Sequence, residues 1–317
     1  MVKLASPEQA QEKKATRAAY GVTLAQLAEE GMKVVAVDAD LTGSTTTKKF
    51  AQARPENEER LFNVGIAEQN MVGVAAGLSL VGNVAFTGSF AVFGTGRAYD
   101  QIRNTVCYSN LNVKIAPTHA GISVGEDGAT HQCCEDIALM RTIPGMVVMN
   151  PSDDVEAKAA VKAALDHQGP VYIRFGRLAV PVINDKPDYK FEIGKGVTLR
   201  EGKDVTLVAT GLEVSETLAA AEKLAADGID AKVINIHTIK PLDEELVLAS
   251  AKKTGKVVTV EEHSVIGGLG SAVCDVLSEK APTKVCKIGM YDRFGESGPA
   301  AALVAKYGLD AEGVYKK

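Results

Sequence analysis

The chain has 317 residues, 46% of them hydrophobic and 24% charged, with a formal net charge of −5. That length suffices for two hydrophobic cores. No apolar run is long enough to cross a bilayer, no charged-then-apolar leader opens the chain, and the acidic balance argues against a general nucleic-acid binder. The five cysteines include no CxxC pair, and an odd number of scattered thiols suits a reducing cytoplasm better than a disulfide framework.

In chain order, the first half alternates short apolar runs with helical stretches. Residues 33–37 (KVVAV) read as a buried strand that ends in the polar turn 38–47. Residues 64–80 read as a helix with a small-residue face, 83–87 as a strand, 99–108 as a helix, 113–117 as a strand, 153–166 as a helix and 171–175 as a strand. The proline-bearing polar stretch 181–189 reads as a linker. Beyond it the rhythm restarts, with strands at 204–209, 231–236, 256–260 and 283–288 and helices at 214–226, 243–253 and 270–279. This alternation predicts an α/β fold of two domains, 1–185 and 190–317, each a helix-covered parallel sheet. Ligands of such sheets sit beyond the C-terminal ends of the strands. Asp38 and Ser44, His119, and Arg177 fall at such ends.

Several segments carry candidate chemistry. FNVGIAEQNM (62–71) sets one carboxylate, Glu68, in an almost uncharged run. A buried carboxylate without a partner is costly and responds with a raised pKa, which is what a proton relay needs. The competing reading is a first-turn glutamate facing water or its helix N-terminus. GSFAVFGTG (88–96) places Phe90 and Phe93 among glycines, which suggests an irregular loop and not a core strand. GEDGATHQ (125–132) is dense in polar groups. A lone loop histidine such as His131 is most often a surface residue, yet histidine suits proton transfer near neutral pH. His119 and His131 lack the helical spacing of metal ligands, so no metal site is expected from them. IGGLG (266–270) is not a full GxGxxG and reads as a tight strand-to-helix turn. Glu261, Glu262 and His263, just before it, suggest no role.

Taken together, KKATRAAYG (13–21), IAEQNM (66–71), THAGISVGEDGATHQ (118–132) and YIRFGR (172–177) make the chain resemble the C-terminal half of transketolase over nearly its whole length. The resemblance implies a thiamine-diphosphate pyrimidine-binding domain followed by a transketolase C-terminal domain that helps assembly. It implies that Glu68 bonds a pyrimidine ring nitrogen of the cofactor and drives the imino form that deprotonates the thiazolium carbon. Phe90 and Phe93 match the aromatics that hold the ring. Which of them stacks stays open, because the segment before RAYDQ (97–101) is about one residue longer than the family pattern. Asp127 matches a residue that binds a sugar hydroxyl. His131 matches one that contacts the cofactor-bound intermediate, where some members carry glutamine. Arg17, Ser44, His119 and Arg177 match positions that bind the terminal phosphate of the substrate, and arginine's rigid fork suits phosphate oxygens. Asp38 is a further candidate at that mouth, whereas Arg174 is expected to be structural.

The family holds the diphosphate through a divalent cation, with the signature GDG and a downstream asparagine. This chain has only EDG and ADG. The resemblance therefore implies a partner chain that carries the diphosphate and Mg2+ (or Ca2+), in a heterotetramer of two plus two. The implied reaction moves a two-carbon ketol unit from a ketose phosphate to an aldose phosphate, as in the pentose phosphate pathway. The alternatives are a 1-deoxyxylulose-5-phosphate synthase-like subunit, a 2-oxo acid dehydrogenase beta-like subunit, and a non-catalytic paralogue that regulates a partner.

Overall fold

Val34 to Asp38 is an apolar, largely β-branched run, buried along its whole length. Such a run forms a central strand covered on both faces. In the computed structural model, which describes residues 12–317, it sits inside the largest of three sheets, the smallest being the antiparallel pair Lys13–Ala15 and Ala179–Pro181. Residues 1–11 of the expected first domain lie outside the described residues. Among the described residues the largest sheet has seven strands. Their spatial order is Thr238–Lys240, Val147–Met149, Val171–Ile173, Val113–Ile115, Val84–Gly88, Val34–Asp38 and Leu61–Asn63. The strands that the first half contributes to this sheet pair in parallel. Thr238–Lys240 comes from the second half and pairs antiparallel with Val147–Met149.

Alternate side chains of one strand feed two cores. Val34 and Ala36 pack with helices Thr16–Glu29 and Asp154–Asp166, while Val35 and Val37 pack with helix Glu68–Leu80. The second sheet pairs Lys284–Met290, Lys256–Ser264, Val205–Ala209 and Ala231–Asn235 in parallel, with Val197–Arg200 antiparallel at the edge. The α/β fold and the helix-flanked parallel sheets are thus as the alternation predicts.

Three local differences bear on the site. The helix expected over 64–80 begins at Glu68, because Gly65 takes a positive φ of 75° and donates its N–H to Asn63 Oδ1 at 3.0 Å. The segment expected as an irregular loop is helical, with wide π turns over Val92–Arg97 and again over Gln101–Cys107. A π turn holds one more residue than an α turn, and the first of these ends at Arg97, with a turn at Ala98 before the next helical stretch. Finally, the polar stretch 181–189 is strapped down. Asp153 caps helix Asp154–Asp166 by accepting the N–H of Glu156, and its other oxygen accepts the N–H groups of Ile183 and Asn184, each at 2.7 Å.

Candidate active site

Glu68 is the first residue of its helix and is 4% exposed. It is not the unpartnered carboxylate that its apolar surroundings suggest. Arg97 Nη1 lies 3.2 Å from Oε1. That arginine comes from the π-helical turn, so the wide turn and the buried acid are coupled. Both readings of the segment meet here, since Glu68 sits at the positive end of its helix and is buried as well. Oε2 makes no hydrogen bond among the described residues. The acid opens onto a pocket of about 480 Å³ lined by Ala67, Glu68, Gln69, Asn70 and Arg97.

Arg97 also lays its guanidinium 4.1 Å above the Phe93 ring. Phe93 stacks on Phe90 at 6.1 Å, and Phe90 stacks on His119 at 3.9 Å. His131 stands edge-on to Phe93 at 5.3 Å and is half-buried, not a free surface residue. Glu68, Phe93, Phe90, His119 and His131 therefore line one continuous wall, although they come from three separate segments. Phe90 is buried and enclosed by His119 and Phe93, whereas Phe93 is half-buried.

The wall ends in a cationic mouth. Arg17, from helix Thr16–Glu29, donates to the Ser44 carbonyl at 2.8 Å and faces His119 Nε2 at 3.5 Å. Arginine can only donate, so Nε2 accepts, and the ring proton sits on Nδ1, 2.8 Å from Thr118 Oγ1. Burial, with the Arg17 and Arg177 charges and His131 beside it, pushes the His119 pKa down to about 3. Its backbone is held at a φ of 61°, which non-glycine residues seldom adopt. Arg17 N donates to Gly176 O at 3.3 Å, next to Arg177, so Arg17, Ser44, His119 and Arg177 lie close together. Arg177 Nη1 donates to the Val124 carbonyl and lies 3.4 Å from Asp127 Oδ2. The residues matched to the phosphate and to a sugar hydroxyl are thus paired with each other.

Asp38 is not at the mouth. It is fully buried, and its oxygens accept from Leu41 N at 2.6 Å, Thr45 Oγ1 at 2.7 Å and Thr47 Oγ1 at 2.8 Å. It shapes the turn that carries Ser44, and burial raises its carboxyl above the usual range. Arg174 is structural, as expected, and forms a buried pair with Asp136 at 2.7 Å. Arg97 was missed by sequence reasoning. Its only signal was its place in the RAYDQ segment, since nothing along the chain links it to Glu68.

The neutrality of His119 has a measurable sign. An unfolded histidine takes up a proton as pH falls through about 6.5, whereas folded His119 stays neutral down to about 3. The unfolded state therefore binds more protons across this window, and His119 lowers stability progressively as the solution is acidified. Other buried acids act in the opposite sense, such as Glu261, which burial pushes up to about 7. The isolating comparison is therefore His119→Asn against the parent chain in urea at pH 7 and pH 5. The variant is expected to gain stability relative to the parent at the lower pH. An equal difference at both pH values would mean that His119 titrates normally.

Residues 12–182 match the family model for the transketolase pyrimidine-binding domain, and residues 194–314 match that for the transketolase C-terminal domain. A putative transketolase C-terminal section of Methanocaldococcus jannaschii is 49% identical, over 96% of this chain and 95% of that protein. The 6-deoxy-6-sulfo-D-fructose transketolase subunit SqwH of a Clostridium species is 46% identical, over 95% and 92%. A solved split gene transketolase, described as an inactive β4 tetramer, superimposes with a TM-score of 0.86 at 52% identity, covering 96% of this chain and 97% of its own. With both domains matched in order and such relatives aligned over nearly their full length, the chain belongs to the transketolase family.

Proposed function

We propose that the chain is one subunit of a thiamine-diphosphate-dependent transketolase that moves a two-carbon ketol unit from a ketose phosphate to an aldose phosphate. The observation that carries this reading is the single wall running from the Glu68 carboxyl, across Phe93 and Phe90, to the Arg17–His119–Arg177 mouth. A carboxyl oxygen without a partner, beside a half-buried aromatic face, fits an aminopyrimidine ring. When bound, thiamine diphosphate supplies the electron sink for the carbanion chemistry. Glu68 would hold a proton at Oε2 toward the aminopyrimidine, with Arg97 keeping Oε1 in place. Phe93, the more accessible of the two phenylalanines, would cover the ring and keep water off it. Arg17 and Arg177 meet the terminal anion of the sugar. As Arg177 turns toward that anion it frees Asp127 to accept a sugar hydroxyl. His131 moves a proton at a substrate oxygen. SqwH is named for a sulfo-sugar, which agrees with a mouth that recognises a terminal anion by charge.

Among the described residues no group of three or more His, Cys, Asp or Glu side chains is placed to hold a metal ion. The relatives named as a transketolase C-terminal section and as a split gene transketolase support a partner subunit, the N-terminal half, that would carry the diphosphate and Mg2+ or Ca2+ in a two-plus-two assembly. No helix of the described residues is long and apolar enough to cross a membrane, and the five free thiols support a cytoplasmic setting. The test is an assay with xylulose 5-phosphate, ribose 5-phosphate, thiamine diphosphate and Mg2+, using the chain alone and then with a candidate partner bearing GDG and its asparagine. Turnover is expected only in the mixture. Silence in the mixture would overturn the ketol-transfer reading, and turnover by the chain alone would overturn the need for a partner.

A further inference from the structure

The loop from Gly121 to Cys133 carries Asp127 and His131, and it is not held by its own domain alone. Its two ends close on each other, with Gly121 N donating to Cys133 O at 2.8 Å. Its first turn then rests on the second domain. Glu262, on strand Lys256–Ser264, is 4% exposed, and its Oε1 accepts the Ser123 N–H at 2.6 Å. The fit is close. Gly121 has a φ of 78°, and a Cβ there would fall 2.2 Å from the Glu262 carboxyl carbon. The last turn is fastened to the second domain too, since Gln132 Nε2 donates to Ile122 O at 3.0 Å and to Glu296 O at 2.9 Å. Midway, a side chain at Gly128 would meet Ser297. The residue after Ser123 is Val124, whose carbonyl accepts from Arg177. The backbone that Glu262 holds is thus the backbone that aims Arg177.

We infer that Glu262 is a positioning residue of the second domain, which sets the Gly121–Cys133 loop through Ser123 and thereby places Arg177 and Asp127 for an anionic sugar. The second domain then takes part in substrate recognition without touching the substrate. Glu262 is itself fixed from behind, because its backbone carbonyl accepts from Arg174 Nη2 at 2.9 Å. A carboxylate here presents an acceptor to the Ser123 backbone N–H, and glutamine can present the same acceptor. Alanine cannot. Aspartate keeps the charge but withdraws the oxygen by one carbon.

Hydrogen exchange of the full chain tests the contact. Glu262→Ala is expected to speed exchange at Ser123 and its loop about tenfold or more, as one hydrogen bond to a charged group is lost. Glu262→Gln should remain near the parent. Unchanged exchange in Glu262→Ala would overturn the inference, as would a Gln variant as loose as the Ala variant. Should the Ala variant fail to fold, Glu262→Asp provides the same comparison with a smaller cavity, and it too is expected to loosen only this loop. The kinetic arm rests on the proposed ketol transfer. In the assembled enzyme, Glu262→Ala should raise KM for the phosphorylated ketose about tenfold while kcat changes little, and Gln should rescue it. A fall in kcat with KM unchanged would count against positioning. If the parent assembly shows no ketol transfer, that reading fails on its own, and the exchange comparison still decides the role of Glu262.

Discussion

Glu68→Ala, assayed with the partner subunit present, is expected to lower kcat about a thousandfold, the range of a lost acid–base group, while the fold survives. The fold should survive because the Glu68 side chain makes no helix cap, and its partner Arg97 is half-exposed and can turn to water. Met71, Val72, Ala75 and Ala76, which anchor the helix in the core, are untouched. Glu68→Gln sharpens the test. It preserves shape and a contact to Arg97 but cannot take up and return a proton, so it should fall nearly as far as alanine. Near-parental turnover in either variant, with thermal melts unchanged, would remove Glu68 from the chemistry.

The largest expected loss of stability lies elsewhere, at Arg174. Its Nε and Nη2 hold both oxygens of Asp136, at 2.7 and 3.2 Å, and Tyr172 donates a further bond at 2.5 Å. Burial alone would push the Asp136 carboxyl up. The Arg174 charge, with His263 and the bonds from Arg174 and Tyr172, instead holds it below the usual range. Arg174→Met should cost about 3–5 kcal/mol in urea denaturation, the typical penalty for leaving one buried charge behind. The pair's contribution is present above the unfolded carboxyl's pKa and fades as pH falls through the folded one, so the deficit should shrink in acid. Removing both charges with Asp136→Asn and Arg174→Met should restore part of the loss. A single variant as stable as the parent would show that the pair is dispensable.

Periodicity made the central strands and longer helices legible, because Val34–Asp38 and Asp154–Asp166 declare themselves by burial pattern and cap. Strands Leu61–Asn63 and Val147–Met149 escaped notice, since three residues carry too little pattern to stand out. The candidate site residues rest on motif resemblance, and the structure brings several of them close together. What the chain could not announce was pairing across distance. Arg97 with Glu68, Arg177 with Asp127, and Glu262 with Ser123 are separated by 29, 50 and 139 positions. Asp38 was misplaced for a related reason. A polar residue at a strand end can face a ligand or fold back on its own turn, and only the hydroxyls of Thr45 and Thr47 decide it.

The seam at Thr238–Lys240 limits how this molecule can be cut or recombined. That strand covers the edge of a sheet to which it does not belong by sequence, and Lys240 Nζ fastens it by donating to Arg141 O at 2.9 Å and Ile143 O at 2.5 Å. Stripped of it, Val147–Met149 would present open backbone groups, which invite edge-to-edge association. The apolar core also runs on beneath the seam, from Val148 and Tyr172 to Ile236 and Ile239. A chimera that swaps the second half for a distant homologue's must therefore supply a strand of matching register as well as a compatible surface, or its first half will be sticky. The two larger sheets are distinct, yet this shared strand and core tie them into one piece.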